Sequence, residues 1–202
     1  MTNCRVLTIR GTKNCVNGSA ELIDNIRKGL WKLGNLGFCG KIDKLIIKSL
    51  NFLDGNTAMN TKIEAIYQTL SSLISLQFDN TSILNLKKYK IAKDIIEGKP
   101  NLQELIIKNN GCQNGNVAVS IADGLMEARK LQLLIFRNNN GDEGSRMEGS
   151  VCKVMNNLPW SPNLKVIDFS KSVIKEDQFE TFNKNLFKLL SMSRTIEYLN
   201  IS

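Results

Sequence analysis

The sequence contains no histidine. The commonest general base and metal ligand is therefore missing, and a Ser-His-Asp or Cys-His arrangement is excluded within these residues. Aromatic residues are scarce at 6%, while hydrophobic residues make up 42%. The core must then be built mainly from stacked aliphatic side chains rather than from a few large rings. No C-x-x-C pair occurs, and the five cysteines, Cys4, Cys15, Cys39, Cys112 and Cys152, are an odd number. Neither a closed disulfide framework nor a zinc ribbon fits, and free thiols in a reducing compartment are expected. The N-terminal stretch lacks the apolar core of a signal peptide, and no run approaches the length of a membrane span. These absences point to a soluble cytoplasmic protein of one domain.

Charge is present in excess of one sign: 27 Lys and Arg stand against 19 Asp and Glu, a formal net charge of +8. It is scattered, since Lys87, Lys88 and Lys90 form the only tight cluster and Tyr89 is the only ring inside it. Nucleic-acid binding calls for a continuous basic stripe or a recognisable module, so a nucleic-acid partner is not expected. The Gly-rich stretches Gly111–Gly115 and Gly141–Gly144 match no phosphate-cradling pattern and read as turns after strands. Asp142 and Glu143 lack the spacing of a calcium loop. No catalytic residue, metal site or cofactor is expected, and the chain is not read as an enzyme.

One pattern recurs along the whole chain: L-x-x-L-x-L-x-x-(N/T/S)-x-apolar. Its clearest copy is Leu102, Leu105, Ile107, Asn110 and Cys112. Before it stand Ile42, Leu45, Ile47, Leu50, Phe52 and Leu73, Leu76, Phe78, Thr81, Ile83; after it stand Leu131, Leu134, Phe136, Asn139 and Leu164, Ile167, Phe169, Ser172, Ile174. Weaker copies flank these, with Cys4, Leu7, Ile9 and Thr12 at the start and Ile196, Leu199 and Ile201 at the end. The first positions, 4, 42, 73, 102, 131, 164 and 196, are separated by 38, 31, 29, 29, 33 and 32 residues. Units this long need a helix on the return path. Three-and-four spacing supplies candidates in Ile23, Ile26, Leu30, Leu33; in Ile63, Ile66, Leu70, Leu73; in Val117, Ile121, Leu125, Ala128; and in Phe179, Phe182, Leu186, Leu190. Weaker cases are Ile91, Ile95, Ile96 and Met147, Val151, Val154, Leu158.

With these copies in place, the chain resembles the ribonuclease-inhibitor-like class of leucine-rich-repeat proteins over essentially its whole length. The resemblance implies an α/β solenoid of about seven repeats over residues 1–202, a right-handed βα horseshoe with a parallel sheet on the concave face and helices on the convex face. Proteins of this class include GTPase-activating proteins of the Ran type and the sensor arrays of NOD-like receptors, and both activities stand as alternatives to a plain interaction scaffold. The first, fourth and sixth positions are expected in the core. The ninth-position Asn, Thr or Ser is expected to bond backbone groups where each strand turns away.

Alternation along a strand turns the third, fifth and seventh positions to the other face. Its fifth-position row contains Ile46, Ile106 and Ile135, joined by Leu133 and Val166 of the third; that row also holds Lys44. The seventh-position row contains Arg10, Lys48, Lys108 and Arg137. An apolar patch rimmed by positive charge predicts a protein partner that is acidic on its matching side. A second expectation concerns the ends. The last strand has no helix after it to cover Ile196, Leu199 and Ile201, so further repeats of a longer array, or another chain, are expected to cover them.

Overall fold

Each copy of the motif sets two core residues one apart, flanked by β-branched or long side chains, which is the pattern of a strand buried on one face. In the computed structural model the residues described are 5–10, 42–49, 72–81, 96–110, 115–139, 150–158, 161–174 and 176–202, with residues 25, 28, 29, 32, 70 and 93. The seven strands are β1 (Val6–Arg10), β2 (Lys44–Lys48), β3 (Ser75–Asp79), β4 (Glu104–Lys108), β5 (Leu133–Arg137), β6 (Val166–Asp168) and β7 (Tyr198–Asn200). They form one sheet in sequence order, and every neighbouring pair is parallel. The register is constant: Val6, Lys44, Ser75, Glu104, Leu133, Val166 and Tyr198 stand side by side, so motif positions align from strand to strand.

That alignment turns the motif into columns. Leu45, Leu76, Leu105, Leu134 and Ile167 stack at the fourth position, all fully buried, and Ile47, Phe78, Ile107, Phe136 and Phe169 stack at the sixth. Phe136 and Phe169 meet edge to face with ring centroids 6.4 Å apart, a favoured aromatic geometry. Three helices cover this side, α1 (Gly115–Glu127), α2 (Ser150–Asn157) and α3 (Phe179–Met192). Each packs on the next in chain order. They contribute Ala118, Ile121, Leu125, Val151, Val154, Met155, Phe182 and Leu189, with Leu158 just past the end of α2, to the same core cluster as the strands. Fold class is therefore α/β, with one parallel sheet whose two faces have different environments.

The helical stripe expected on α3 is corrected in part. Phe182 is buried as expected, but Phe179 and Leu190 are exposed, and the other core-facing residues are Asn185 and Leu189. Asn185 earns that place by donating from Nδ2 to the Cys152 carbonyl of α2 at 3.0 Å. Cys4, Thr12, Leu50, Phe52, Ile83, Cys112 and Trp160 lie outside the described residues, as do most residues of the helices expected around 23–33, 63–73 and 91–96. Residues 25, 28, 29, 32, 93, 96 and 97 are helical. Among the described residues no helix is long and apolar enough to cross a membrane.

Backbone bonds fix the edges of each unit. At the second position a relay runs through the sheet: Asp43 N–H donates to the Arg5 carbonyl, Ile74 to Asp43, Gln103 to Ile74, Gln132 to Gln103, Lys165 to Gln132 and Glu197 to Lys165. At the ninth position asparagine acts as expected. Asn110 Oδ1 accepts from Thr81 N–H at 2.9 Å, and its Nδ2 donates to the Lys108 carbonyl at 2.8 Å. Asn139 Oδ1 accepts from Asn110 N–H at 3.0 Å while its Nδ2 donates to the Ile107 carbonyl at 2.8 Å. Ser172 does part of the same work, donating from Oγ to the Phe136 carbonyl at 3.3 Å.

Candidate functional site

Strand alternation places the third, fifth and seventh motif positions on the face away from the helices. All the residues singled out from the sequence lie in the three aligned rows of this face. Lys44 and Leu133 belong to the first row, Ile46, Ile106 and Ile135 to the second, and Arg10, Lys48, Lys108 and Arg137 to the third. Parallel strands about 4.8 Å apart let neighbouring side chains shade one another. Accordingly all of these residues are partly buried except Arg10, which is exposed on β1.

The positive charge of the face is not all free. Lys44 Nζ reaches across β3 to Glu104 Oε2 at 3.7 Å. Ser75, the residue between them in the register, is small enough to lie beneath that pair and is buried. Lys108 Nζ is 3.6 Å from Asp79 Oδ2 on the adjacent strand. Arg10, Lys48 and Arg137 have no ion-pair partner among the described residues. The opposite charge on this face is limited. Asp79 and Glu104 are spent on these pairs, and Asp168 Oδ1 accepts from the Ser170 backbone N–H at 2.8 Å.

Two features of the face were not read from the sequence. The first is the polar centre on β3, where Ser75 and Gln77 are both buried, with Ser75 Oγ lacking a hydrogen-bond partner. Ile46 and Ile106 flank Gln77 in the register, so an amide sits in an aliphatic row. The second is a column at the eighth position. Ser49, Asn80, Asn109, Asn138 and Lys171 all have left-handed backbone, with φ between 50° and 59°. Their N–H groups include Ser49 to Asp79, Asn80 to Lys108, Asn109 to Arg137, Asn138 to Ser170 and Lys171 to Ser202, each donating to the seventh-position carbonyl of the next strand. Asn109 Nδ2 donates to Asp79 Oδ1 and Asn138 Nδ2 to Asn109 Oδ1, both at 2.9 Å, an exposed amide chain along the basic row. The signal was present in the paired asparagines at 109–110 and 138–139, since Asn tolerates a left-handed backbone better than other residues bearing a Cβ.

Two titratable groups lie away from this face. Burial lowers Lys99 to about 8 from its ordinary value. It occupies a column of chain turns before the strands, with Leu70, Ala128 and Ser161, whose carbonyls accept from Leu73, Leu131 and Leu164 as that of Lys99 does from Leu102. Burial pushes the Cys152 thiol up, opposite to what a reactive thiolate needs. Among the described residues no group of His, Cys, Asp and Glu is assembled to hold a metal ion. Comparison with models of known families, with curated proteins and with solved structures finds no match to this chain.

Proposed function

We propose that the chain is an array of leucine-rich repeats that works by binding an acidic protein on the face of the sheet opposite the helices. The observation that carries the reading is the order of the three rows. Ile46, Ile106 and Ile135 form an aliphatic band, and beside it run Arg10, Lys48 and Arg137 without ion-pair partners among the described residues. An apolar band supplies contact area, and unpaired cations on one border select and orient an anionic partner. The constant register and the asparagine bonds support the repeat reading, because they recur at the same motif positions in successive units.

The test is capture by chemical cross-linking, followed by affinity measurement against the captured protein. Replacing Lys48 and Arg137 together by Glu is expected to lower affinity about tenfold or more and to remove much of its salt dependence. Replacing the exposed Lys153 and Lys184 of the helices by Glu is the matched control and is expected to change little. Equal binding by both double variants would move the site off this face.

A further inference from the structure

An amide in the middle of the open face is left over from the bonding of the sheet. Gln77 is only 8% exposed, and its side chain has no hydrogen-bond partner among the described residues. Strand alternation turns it away from the helices, between Ile46 and Ile106 of the same row. An amide unpaired among aliphatic side chains costs stability, whereas an isoleucine at this place would continue the row. Its carboxamide offers a donor and an acceptor side by side to whatever covers the face. The flanking isoleucines keep water from competing once the face is covered, which makes a bond at this place selective.

We propose that Gln77 pairs with the backbone of an extended acidic segment laid across the strands, a reading that rests on the acidic partner proposed above. In an extended chain the N–H and C=O of one residue point the same way. A single residue, position i, can therefore accept from Gln77 Nε2 and donate to Gln77 Oε1. A helix has no such pair to offer, because its backbone groups bond one another. Side chains of the segment then alternate toward the two borders of the face, and those at i−3, i−1 and i+3 turn to the same border. The free cations match that spacing. Counted from Gln77 along the rows, with about 4.8 Å between strands, Lys48 lies about 4.8 Å and Arg10 about 9.6 Å toward β1, and Arg137 about 9.6 Å toward β7. A rise of about 3.3 Å per residue sets i−1 at about 3.3 Å and both i−3 and i+3 at about 9.9 Å, so each meets one cation within the reach of its side chain. The remaining position on that border, i+1, falls at the Lys108–Asp79 pair, which is already neutral. Numbered from the β1 side, the segment therefore carries Asp or Glu at i−3, i−1 and i+3 and an uncharged residue at i+1.

Nine-residue peptides with capped ends, read by fluorescence anisotropy, test the pairing. The probe has Glu at its second, fourth and eighth positions and Val or Thr elsewhere, and a second peptide has the reversed order, because either chain direction fits. The better of the two is expected to bind about tenfold or more tightly than a peptide of the same composition with three consecutive Glu at its centre. An ester in place of the central N–H removes one donor without changing charge, and is expected to weaken binding about tenfold. Gln77→Leu keeps the size of the side chain, is expected to preserve circular dichroism, and should cost as much. The ester should cost nothing further in that variant, as a shared bond requires. Equal affinity for the spaced and clustered peptides overturns the proposal, as does an ester penalty that persists in Gln77→Leu. If those peptides bind equally and both are lost with Lys48→Glu and Arg137→Glu, the extended segment falls while the acidic-partner reading stands. No binding by any peptide at about 1 mM also overturns the extended segment, and capture by cross-linking then judges the acidic partner on its own.

Discussion

At the scale of the residue, the turn after each strand depends on two side chains with different tasks. Asn110 is buried and satisfies the Thr81 N–H together with the carbonyls of Lys108 and Phe78. Asn110→Ala removes three hydrogen bonds from a buried turn, which is expected to cost about 2 to 3 kcal/mol in urea unfolding. Asn138→Ala, on an exposed amide, is expected to cost less than half as much. Lys171 holds left-handed backbone without the advantage of Asn, and Lys171→Gly should raise stability by about 0.5 to 1 kcal/mol. Lys99 carries a different strain. Its folded pKa of about 8 lies below the ordinary value of 10.5, so the folded chain binds fewer protons than the unfolded chain between those two pH values. Stability is therefore depressed below pH 8 and recovers as pH rises toward 10.5. Lys99→Met is expected to gain about 1 to 3 kcal/mol at pH 7 and to flatten that rise, read from the difference between the two proteins across the pH range. A variant no more stable than the parent at pH 7 would mean that burial is not what Lys99 costs the fold.

Elements pack closely because the helix layer has little spare room. Gly124 sits in α1, and a Cβ built there would lie 2.9 Å from Ile96 Cβ and 3.2 Å from Lys93 Cα. Ser120, one turn earlier, accepts the Lys93 N–H on its Oγ at 3.0 Å. Helix propensity favours Ala over Gly by about 1 kcal/mol. Here the close neighbour is backbone as well as a branched side chain, and neither can move without shifting a helix. Gly124→Ala is therefore expected to destabilise the chain by about 1 to 2 kcal/mol in thermal unfolding, opposite in sign to the propensity scale. A rise in stability would show that the two helices separate at little cost. Strand positions are stricter still. Leu105→Asp would put an unpaired carboxylate in the fully buried fourth-position column, and loss of cooperative unfolding is the expected result.

At the scale of the whole molecule, the sheet divides the protein into a side held by the core and a side free to meet a partner. Its polarity is graded, with the Lys44–Glu104 pair neutralised on one border and Arg10, Lys48 and Arg137 on the other. Association through that face is expected to slow and weaken as salt rises from about 50 to 500 mM, since the cations lie near the surface and are screened within a Debye length. Salt-independent affinity would leave the isoleucine band as the only contributor. Ion pairs also join neighbouring units at the start of the strands, where Arg5 before β1 pairs with Asp43 and Lys165 before β6 pairs with Glu197 before β7.

The amino-acid sequence by itself determined the strands, their register and the column each core residue occupies. The reason is that the motif repeats with its fourth and sixth positions apolar, and a one-residue slip would turn every one of them out of the core. It also located the ninth-position bonds, because a buried turn must satisfy its backbone groups whatever surrounds it. Tertiary structure alone decided which lysines of the open face are neutralised, since Lys44 meets Glu104 and Lys108 meets Asp79 across strands that are far apart in the chain. It alone buried Lys99. It alone turned Asn185 toward the core, since the Cys152 carbonyl that its amide meets lies on the preceding helix. Each of these outcomes depends on groups that different repeats bring together, which no local pattern reports.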